Sequence, residues 1–391
     1  MTSVLLVTGL LEGGMGTHVA DLAMGLNEAG HTVSVAAPRS VILSFGLDQV
    51  GATVDLKVGS RPAPGDMAAM ALLRVHMHSV DVVHAHGLRA GALTVLARAS
   101  LRRRFRRRHR HHDGPGLVVT SHNAAPASGV TSMIYRTLEA IVLRGADEVL
   151  VVSPDLHRPT AARDKAVAAK ANSRRANVSL AVVAASQTVV SVSTEGVRSR
   201  LGVNDADRLV VSVGRLATQK AHQRFIEAVA QCANRGLTID AVIVGEGPAR
   251  DELQDLIDAT GAPVRLLGRR SDVPDLLAAA DLVVSTALWE GQPVWLQEAL
   301  AVGAPIVATD AGGTSVVLGD GAELVAASGT DQAVAQRISS SMTALLSDDP
   351  ARSALRARAR SRAEQLPTRR DAVEAALAAY RRAAPYESKS T

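Results

Sequence analysis

Residues 281–313 read DLVVSTALWEGQPVWLQEALAVGAPIVATDAGG and contain the pattern that decides the fold. Two short apolar runs, residues 282–285 and 305–309, have the length and valine content of buried strands. Residues 294–302 between them favour helix, and the glycine and proline that follow are typical of a helix end. A strand, a helix and a second strand in this order predict a parallel βαβ unit.

The same alternation of valine-rich runs and alanine-rich helical stretches recurs along the chain. The candidate strands are residues 4–8, 32–36, 82–85, 117–121 and 148–152, followed by residues 209–213, 239–244, 264–267, 282–285 and 305–309. With 391 residues, the chain is long enough for two such domains. The sequence therefore predicts an α/β protein with two doubly wound, Rossmann-like domains.

The boundary between the domains is expected in residues 160–196, which are rich in alanine, serine and valine and have no clean periodicity. We expect the first domain to span residues 1–195 and the second to span residues 196–366. Residues 369–383 predict a helix. Residues 367–391 are therefore expected to return to the first domain as a C-terminal strap and tail.

The composition excludes several classes of protein. A single cysteine, Cys232, rules out an intramolecular disulfide and fits a reducing compartment. Cysteine and histidine do not occur at zinc-site spacing. The N-terminal residues lack the basic start of a signal peptide, and no uncharged apolar stretch reaches the roughly 18 residues of a membrane span. We expect a cytoplasmic protein.

The positive charge is concentrated in one segment. The net charge is +5, but residues 101–112, LRRRFRRRHRHH, contain seven arginines, so the remainder carries −2. One interpretation is a solvated helix end. The other is that the arginines from Arg102 to Arg110 attract the anionic inner face of a membrane, or a phosphorylated or lipid-linked acceptor. Nucleic acid is not expected, because Phe105 is the only aromatic residue in the run and stacking needs several.

Two glutamates flank a predicted helix start. Glu290 precedes a Gly-Gln-Pro turn, and Pro293 suits the first helical position, which places Glu298 inside the helix. The free N–H groups of residues 291–294 would form an electropositive site between the two acids. This arrangement suits an anion flanked by hydrogen-bond acceptors. The alternative is that Glu290 only complements the helix dipole and Glu298 is a solvated surface residue.

Two cations follow the strand at residues 209–213. Arg215 and Lys220 lie just beyond its carboxyl end, where open parallel sheets bind their ligands. Three further loops have the same position, at residues 245–248, 268–270 and 310–314. The loop at residues 245–248 is also compatible with a simple strand-to-helix connection.

A glycine-rich loop follows the first strand. Gly14 and Gly16 would let backbone N–H groups approach a ligand closely. A dinucleotide-binding fingerprint is the competing interpretation. That fingerprint is incomplete here, and the second strand ends in Ala-Ala-Pro-Arg at residues 36–39 rather than in a ribose-binding acid.

Several motifs of the second domain are specific in combination: GRLATQK, VGEGP, LLGRRSDV and ADLVVSTALWEGQPVWLQEALAVGAPIVATDAGG. With their Glu-x7-Glu signature they resemble the retaining glycosyltransferases of family 4, which have the GT-B fold. The resemblance is strong over residues 209–327. It is weaker over residues 4–155, through EGGMGTHV, DVVHAHG and VVTSHN.

The resemblance implies two domains that face each other across a cleft, the second binding a nucleoside diphosphate sugar and the first presenting the acceptor. It implies transfer of a hexosyl group with retained configuration. The resemblance implies that Arg215 and Lys220 contact the diphosphate where the reaction occurs. It also implies that Glu290 contacts sugar hydroxyls and that His122 lies beside the sugar. The residues that it implies in donor binding are Gly14, Gly16, Arg269, Gly291, Gln292, Pro293, Val294, and Glu298, which would contact the ribose.

One position departs from the family pattern. A Gly-Gly-x-x-Glu motif commonly follows the last strand in this family, and Val316 stands where the glutamate would be. A degenerate member is therefore an alternative: a non-catalytic binding protein that uses the arginine run to engage membrane or nucleic acid. The presence of Arg215, Lys220, Glu290 and Glu298 favours the enzyme.

A divalent metal is the remaining question, because many sugar transferases hold one with a DxD carboxylate pair. Asp205 and Asp207 form such a string, but they precede the strand at residues 209–213 and so lie at its amino end. Arg215 and Lys220 already supply two positive charges at the other end. We expect no metal cofactor.

Overall fold

The computed structural model describes residues 1–11, 13–59, 62–105, 114–124, 129–157, 176–185 and 188–384, with the backbone alone at residues 101–105 and 157. These residues form two compact units. The first comprises Met1–Ala184 and Pro367–Thr391, and the second comprises Ala185–Leu366. The sequence places the division after residue 195, whereas the units divide before Ala185.

The first unit is a parallel sheet with helices between its strands. Its strands are β1 Ser3–Thr8, β2 Thr32–Ala37, β3 Ala52–Asp55, β4 Val82–His86, β5 Gly116–Ser121, β6 Glu148–Val151 and β7 Asn177–Leu180. Its helices are α1 Gly14–Glu28, α2 Arg39–Ser44, α3 Asp66–His76, α4 Leu88–Phe105, α5 Gly129–Gly145 and α6 Pro154–His157. The strand order is β3-β2-β1-β4-β5-β6-β7. The order therefore reverses between β1 and β4.

The second unit repeats this architecture. Its strands are β8 Arg208–Val213, β9 Ile239–Val244, β10 Val264–Gly268, β11 Leu282–Ser285, β12 Ile306–Asp310 and β13 Glu323–Ala326. Its helices are α7 Thr194–Leu201, α8 His222–Asn234, α9 Arg250–Thr260, α10 Val273–Ala279, α11 Val294–Ala301, α12 Thr314–Leu318, α13 Asp331–Ser347 and α14 Asp349–Ala363. The strand order is β10-β9-β8-β11-β12-β13, which reverses between β8 and β11.

Every predicted strand is present, and all of them except the edge strand β10 are central strands, which are covered on both faces in a parallel sheet and read as continuous apolar runs. In β1, for example, Val4, Leu5, Leu6 and Val7 are all completely buried. The three strands that the sequence pattern missed are β3, β7 and β13, and each lies at the edge of its sheet. Edge strands are short and partly exposed, so they carry little apolar pattern.

The predicted return to the first unit is confirmed. Helix α15, Arg369–Ala383, begins with a capping box formed by Thr368 and Asp371. It packs on α1 and β5, which belong to the first unit. Arg382 of the same helix is 2.9 Å from the buried carboxylate of Glu148 at the start of β6. The apolar face of α15 and this ion pair fix the helix on the sheet.

None of the helices in the described part of the chain is long and apolar enough to cross a membrane. The side chains of the arginine run, Arg102 to Arg110, lie outside the described residues, so its predicted contact with an anionic surface stays a prediction.

The contact between α1 and α15 gives a test of this packing. A Cβ atom on Gly25 would lie 2.6 Å from Cγ2 of Val373, which is closer than nonbonded carbons approach. We expect Gly25→Ala to destabilise the protein by about 1 kcal/mol or more, since overpacking outweighs the gain in helix propensity. In a Val373→Ala background the same change should become stabilising, with a coupling energy of about 0.5–3 kcal/mol. Urea unfolding of the four proteins measures this coupling, and equal effects in both backgrounds would contradict the contact.

Candidate functional site

The reversal of strand order in the second unit brings two loops together. The loops after β8 and β11 leave the carboxyl ends of adjacent strands, and the ammonium group of Lys220 forms an ion pair with Oε1 of Glu290. The Glu290 side chain is only 8% exposed and that of Lys220 is 20% exposed. A carboxylate buried to this degree requires a charged partner. The two residues that the sequence assigned to one site are therefore in contact.

Two hydrogen bonds to backbone carbonyls join the same two loops. The Leu288 N–H donates to the Gln219 carbonyl at 2.8 Å, and the Gln219 side-chain amide donates to the Trp289 carbonyl at 2.9 Å. The stem of Lys220 lies against Gly214, where an added Cβ would be 3.2 Å from Lys220 Cδ. The position of the Lys220 ammonium is thus set by both loops.

The residue after Lys220 has a strained backbone. Ala221 has a φ of 48°, and it is the only non-glycine residue with positive φ in the described part of the chain. The buried hydroxyl of Thr286 lies 3.0 Å from the carbonyl oxygens of both Lys220 and Ala221 and donates its hydrogen there. This contact from the loop after β11 holds the strained turn.

The glycines of the predicted loops allow close backbone packing. A Cβ on Gly245 would lie 2.0 Å from the Gly214 carbonyl oxygen, and one on Gly247 would lie 2.3 Å from that of Leu216. A Cβ on Gly312 would lie 2.1 Å from the Glu290 carbonyl oxygen. These loops pack against the loops that carry the charged residues. Their glycines therefore have a structural role whether or not a ligand contacts them.

Helix α11 starts at Val294, as the helical pattern of residues 294–302 predicts. Pro293 is the residue before the helix, with ψ at 106°, and Val294 is the first helical residue. The carbonyl of Pro293 still accepts the first helical hydrogen bonds, from the N–H groups of Leu296 and Gln297. Pro293 thus lies directly before the first helical residue, within the one-residue uncertainty of a helix end.

The remaining predicted residues of this unit lie in the loops after β8, β10 and β11 and in helix α11. Gly291 and Gln292 are half-buried and connect Glu290 to α11. Glu298 lies within α11, and burial raises the pKa of its carboxyl. Arg215 and Arg269 are exposed and follow β8 and β10. The ligand contacts assigned to all of these residues stay predictions.

The aspartate pair lies away from these loops. Asp205 is exposed in a turn at the amino end of β8, and the Asn204 side chain donates to Asp207 at 2.8 Å. Arg215 and Lys220 follow the carboxyl end of the same strand. Within the described residues, no three histidine, cysteine, aspartate or glutamate side chains are placed to hold a metal ion.

Val316 lies in α12 and is 37% exposed. Its carbonyl oxygen accepts a hydrogen bond of 2.7 Å from Arg362.

In the first unit, the predicted residue His122 follows β5 and belongs to a cluster of four histidines. His18 comes from α1, and His84 and His86 come from β4. The rings of His18, His86 and His122 lie 5.4–5.9 Å apart, and the rings of His84 and His86 lie 4.2 Å apart. His18, His84 and His86 are buried, whereas His122 is partly exposed. Only His122 was singled out from the sequence.

A sequence signal for two of the missed histidines exists. The string His-Ala-His at residues 84–86 lies in a strand, where residues two apart point to the same face. His18 gives no such signal, because its place depends on how α1 packs on the sheet.

Gly14 and Gly16, the other predicted residues of this unit, lie in the first turn of α1. Gly16 is buried, and a Cβ there would lie 2.0 Å from the Phe45 ring.

All four rings of the cluster are neutral at pH 7. Burial lowers the pKa of His18 to about 4, and burial together with His18 lowers the pKa of His84 to about 3. Burial, followed by the neighbouring histidines, lowers the pKa of His86 and of His122 well below the usual value.

Comparison with known proteins agrees with this architecture. Residues 193–362 match the family model of the group 1 glycosyl transferases, and residues 13–172 match the model of the glycosyl transferase 4-like domain. Taken with the two parallel-sheet units, these matches show that the chain belongs to the GT4-like glycosyltransferases.

Two curated relatives are similar over part of the chain. The alpha-D-kanosaminyltransferase of Streptomyces kanamyceticus is 34% identical over 128 residues, which cover 32% of this chain and 33% of that protein. The putative teichuronic acid biosynthesis glycosyltransferase TuaC of Bacillus subtilis is 36% identical over 144 residues, which cover 37% of this chain and 35% of that protein. The chain thus spans about a third of the length of either relative.

A solved structure is similar over nearly the whole chain. HepE of Anabaena, in complex with UDP-glucose, has a TM-score of 0.74 and 20% identity, covering 97% of this chain and 99% of that chain. At this identity the likeness concerns the fold, which is GT-B.

The histidine cluster predicts a loss of stability in acid. The pKa of His18 is lowered by burial to about 4 in the folded protein, below the ordinary value of 6.5, so between these pH values the unfolded chain binds a proton that the folded protein does not. Stability is therefore greatest above pH 6.5 and falls as the pH drops toward 4, by up to about 1.4 kcal/mol per pH unit for each such histidine. We expect His18→Leu to reduce this slope, measured by urea unfolding between pH 7 and 5. A wild-type slope in His18→Leu would show that the pKa of His18 is not lowered in the folded protein.

Proposed function

We propose that the protein is a retaining glycosyltransferase that moves a hexosyl group from a nucleoside diphosphate sugar to an acceptor without a metal ion. The observation that carries this proposal is the contact between Lys220 and Glu290 where the strand order of the second unit reverses. Open α/β sheets bind nucleotides at such points. Family membership and the GT-B fold support the reaction class. The UDP-glucose bound to HepE makes that compound the first donor to test.

The proposed chemistry follows from charge. Breaking the bond between sugar and diphosphate leaves negative charge on the departing phosphate, and fixed cations stabilise it without reorganising. Lys220 has three N–H bonds, so it can contact Glu290 and still donate to phosphate oxygens. Arg215 follows the same strand and supplies the second cation. The N–H groups at the start of α11, near Gln292 and Val294, would add partial positive charge.

The two glutamates have different proposed roles. Glu290 is buried in contact with Lys220, and its other carboxylate oxygen is available to accept from a sugar hydroxyl. Glu298 is half-buried within α11 and would accept from the ribose hydroxyls. Gly14, Gly16 and Arg269 would contact the donor through their backbone, and His122 would contact the sugar, as the family resemblance implies.

The arginine run indicates the proposed acceptor and site of action. A phosphorylated or lipid-linked acceptor, and peripheral attachment to an anionic membrane, rest on the sequence of the arginine run alone.

Substitution of the two glutamates separates binding from chemistry. We expect Glu298→Ala to weaken donor binding with little change in the turnover of bound donor, because the ribose is remote from the bond that breaks. Glu290→Ala should lower kcat more than donor affinity, because contacts to the reacting sugar strengthen toward the transition state. The measurements are calorimetric titration with the donor that supports turnover, and steady-state kinetics. Wild-type kinetics in both variants would refute this assignment of the site, and a non-catalytic binding protein would show no turnover with any donor.

Metal independence gives a second test. Activity should persist in excess EDTA and in the double variant Asp205→Asn with Asp207→Asn, which is the matched control because these carboxylates lie at the opposite end of β8. Arg215→Ala or Lys220→Ala should instead lower kcat by on the order of 10²-fold, as loss of a main transition-state charge does. Abolition by EDTA with recovery on adding manganese or magnesium would overturn the proposed mechanism.

A further inference from the structure

His86 makes one contact that the proposed function does not use. Its Nδ1 lies 3.2 Å from Nε2 of His122, and the two ring planes are 25° apart. The other nitrogen of His86, Nε2, is buried and has no hydrogen-bond partner among the described residues. His86 itself is 1% exposed, so it cannot reach solvent instead.

These contacts decide which ring carries the shared hydrogen. Two neutral imidazoles at this distance form one hydrogen bond, so one ring donates and the other accepts. If His122 donated, the hydrogen of His86 would lie on Nε2 and would be a buried N–H without an acceptor, which proteins rarely contain. If His86 donates from Nδ1, its Nε2 has only an unused lone pair. The second arrangement therefore costs less.

The ring of His86 packs against the ring of His84. His84, two residues earlier on the same face of β4, contacts it with ring centroids 4.2 Å apart. Both nitrogens of His84 are bonded: Nδ1 lies 2.9 Å from the Tyr380 hydroxyl of α15, and Nε2 lies 2.7 Å from the Thr120 hydroxyl of β5. Strand β4, strand β5 and the return helix thus fix His84, which in turn restricts His86.

We propose that His86 is a positioning residue that donates from Nδ1 to Nε2 of His122 and so holds the His122 ring with its own hydrogen on Nδ1. This proposal rests on the proposed function for its consequence in catalysis. The lone pair of His122 Nε2 is then occupied, so His122 acts on the sugar as a neutral hydrogen-bond donor and not as a base. The rate should accordingly be insensitive to His122 titration near neutral pH.

Three variants test the hydrogen bond. His86→Phe keeps a flat ring of similar shape and removes the donor. His86→Asn restores a donor, because the Asn amide nitrogen occupies nearly the position of His Nδ1. His18→Phe is the control for packing, because the His18 ring also contacts His122, with centroids 5.8 Å apart, and no described hydrogen bond joins the two. His18 lines a cavity of about 230 Å³, which gives the phenyl ring room.

The direct measurement is the tautomer of His122, read from nitrogen NMR of protein labelled with ¹⁵N-histidine and assigned with His122→Asn. We expect the hydrogen on Nδ1 in the wild type, in His86→Asn and in His18→Phe, and a mixture of tautomers in His86→Phe. A wild-type hydrogen on Nε2 would overturn the proposal. So would a mixture in both His86→Phe and His18→Phe, since that would make the effect one of packing. This experiment needs no substrate, so it stands even if the proposed function fails.

A kinetic measurement tests the proposed consequence for catalysis. With a donor that supports turnover, we expect His86→Phe to lower kcat about 10-fold or more and to leave the donor KM nearly unchanged. His86→Asn should recover most of this loss. These effects are what the loss and recovery of one transition-state hydrogen bond predict. The kcat of the wild type should be flat from pH 6 to 8, and His86→Phe should show a new decline toward the acid side. Unchanged kcat in His86→Phe alongside a changed tautomer would refute the catalytic consequence while leaving the positioning role intact.

Discussion

The arrangement of charge in the second unit depends on one topological constraint, the reversal of strand order between β8 and β11. Parallel strands send their connecting helices to one face or the other, and at the reversal the loops after two adjacent strands diverge and leave a crevice. Lys220 comes from one of these loops and Glu290 from the other, and their ion pair closes the gap between them. Neither charge could be buried without the other, because an unpaired carboxylate at this depth would cost several kcal/mol.

The other contacts of this site hold the loops that carry the two residues of that ion pair. The strained turn at Ala221 is kept in place by the Thr286 hydroxyl, which comes from the loop that also carries Glu290. The glycines at positions 245 and 312 allow neighbouring loops to approach within a distance that a Cβ would prevent. A cation and a carboxylate on flexible loops would lose much of their effect, since catalysis by charge depends on groups that are already in position.

The first unit obtains its rigidity differently. Its strand order reverses in the same way between β1 and β4, but the side chains near that point are four imidazole rings instead of opposite charges. Burial keeps these rings neutral, and His86 and His122 share one hydrogen bond between their ring nitrogens, while both nitrogens of His84 bond to hydroxyl groups. The return helix joins this network through Tyr380, so a segment from the end of the chain supports residues contributed by β4 and β5.

The sequence by itself determined the fold class, the central strands, the return helix and the charged residues that form the second unit's ion pair. It could do so because buried parallel strands have a continuous apolar pattern, and because strand ends that meet at one edge can be recognised from their order alone. The edge strands β3, β7 and β13 were not predicted, because their partial exposure removes the continuous apolar pattern. Only the tertiary structure decided that His18 and His86 contact His122, that Thr286 holds the turn after Lys220, and that Tyr380 bonds His84. Each of these contacts joins residues far apart in the chain, and whether such side chains meet is set by helix packing and strand register, which no local pattern of residues encodes.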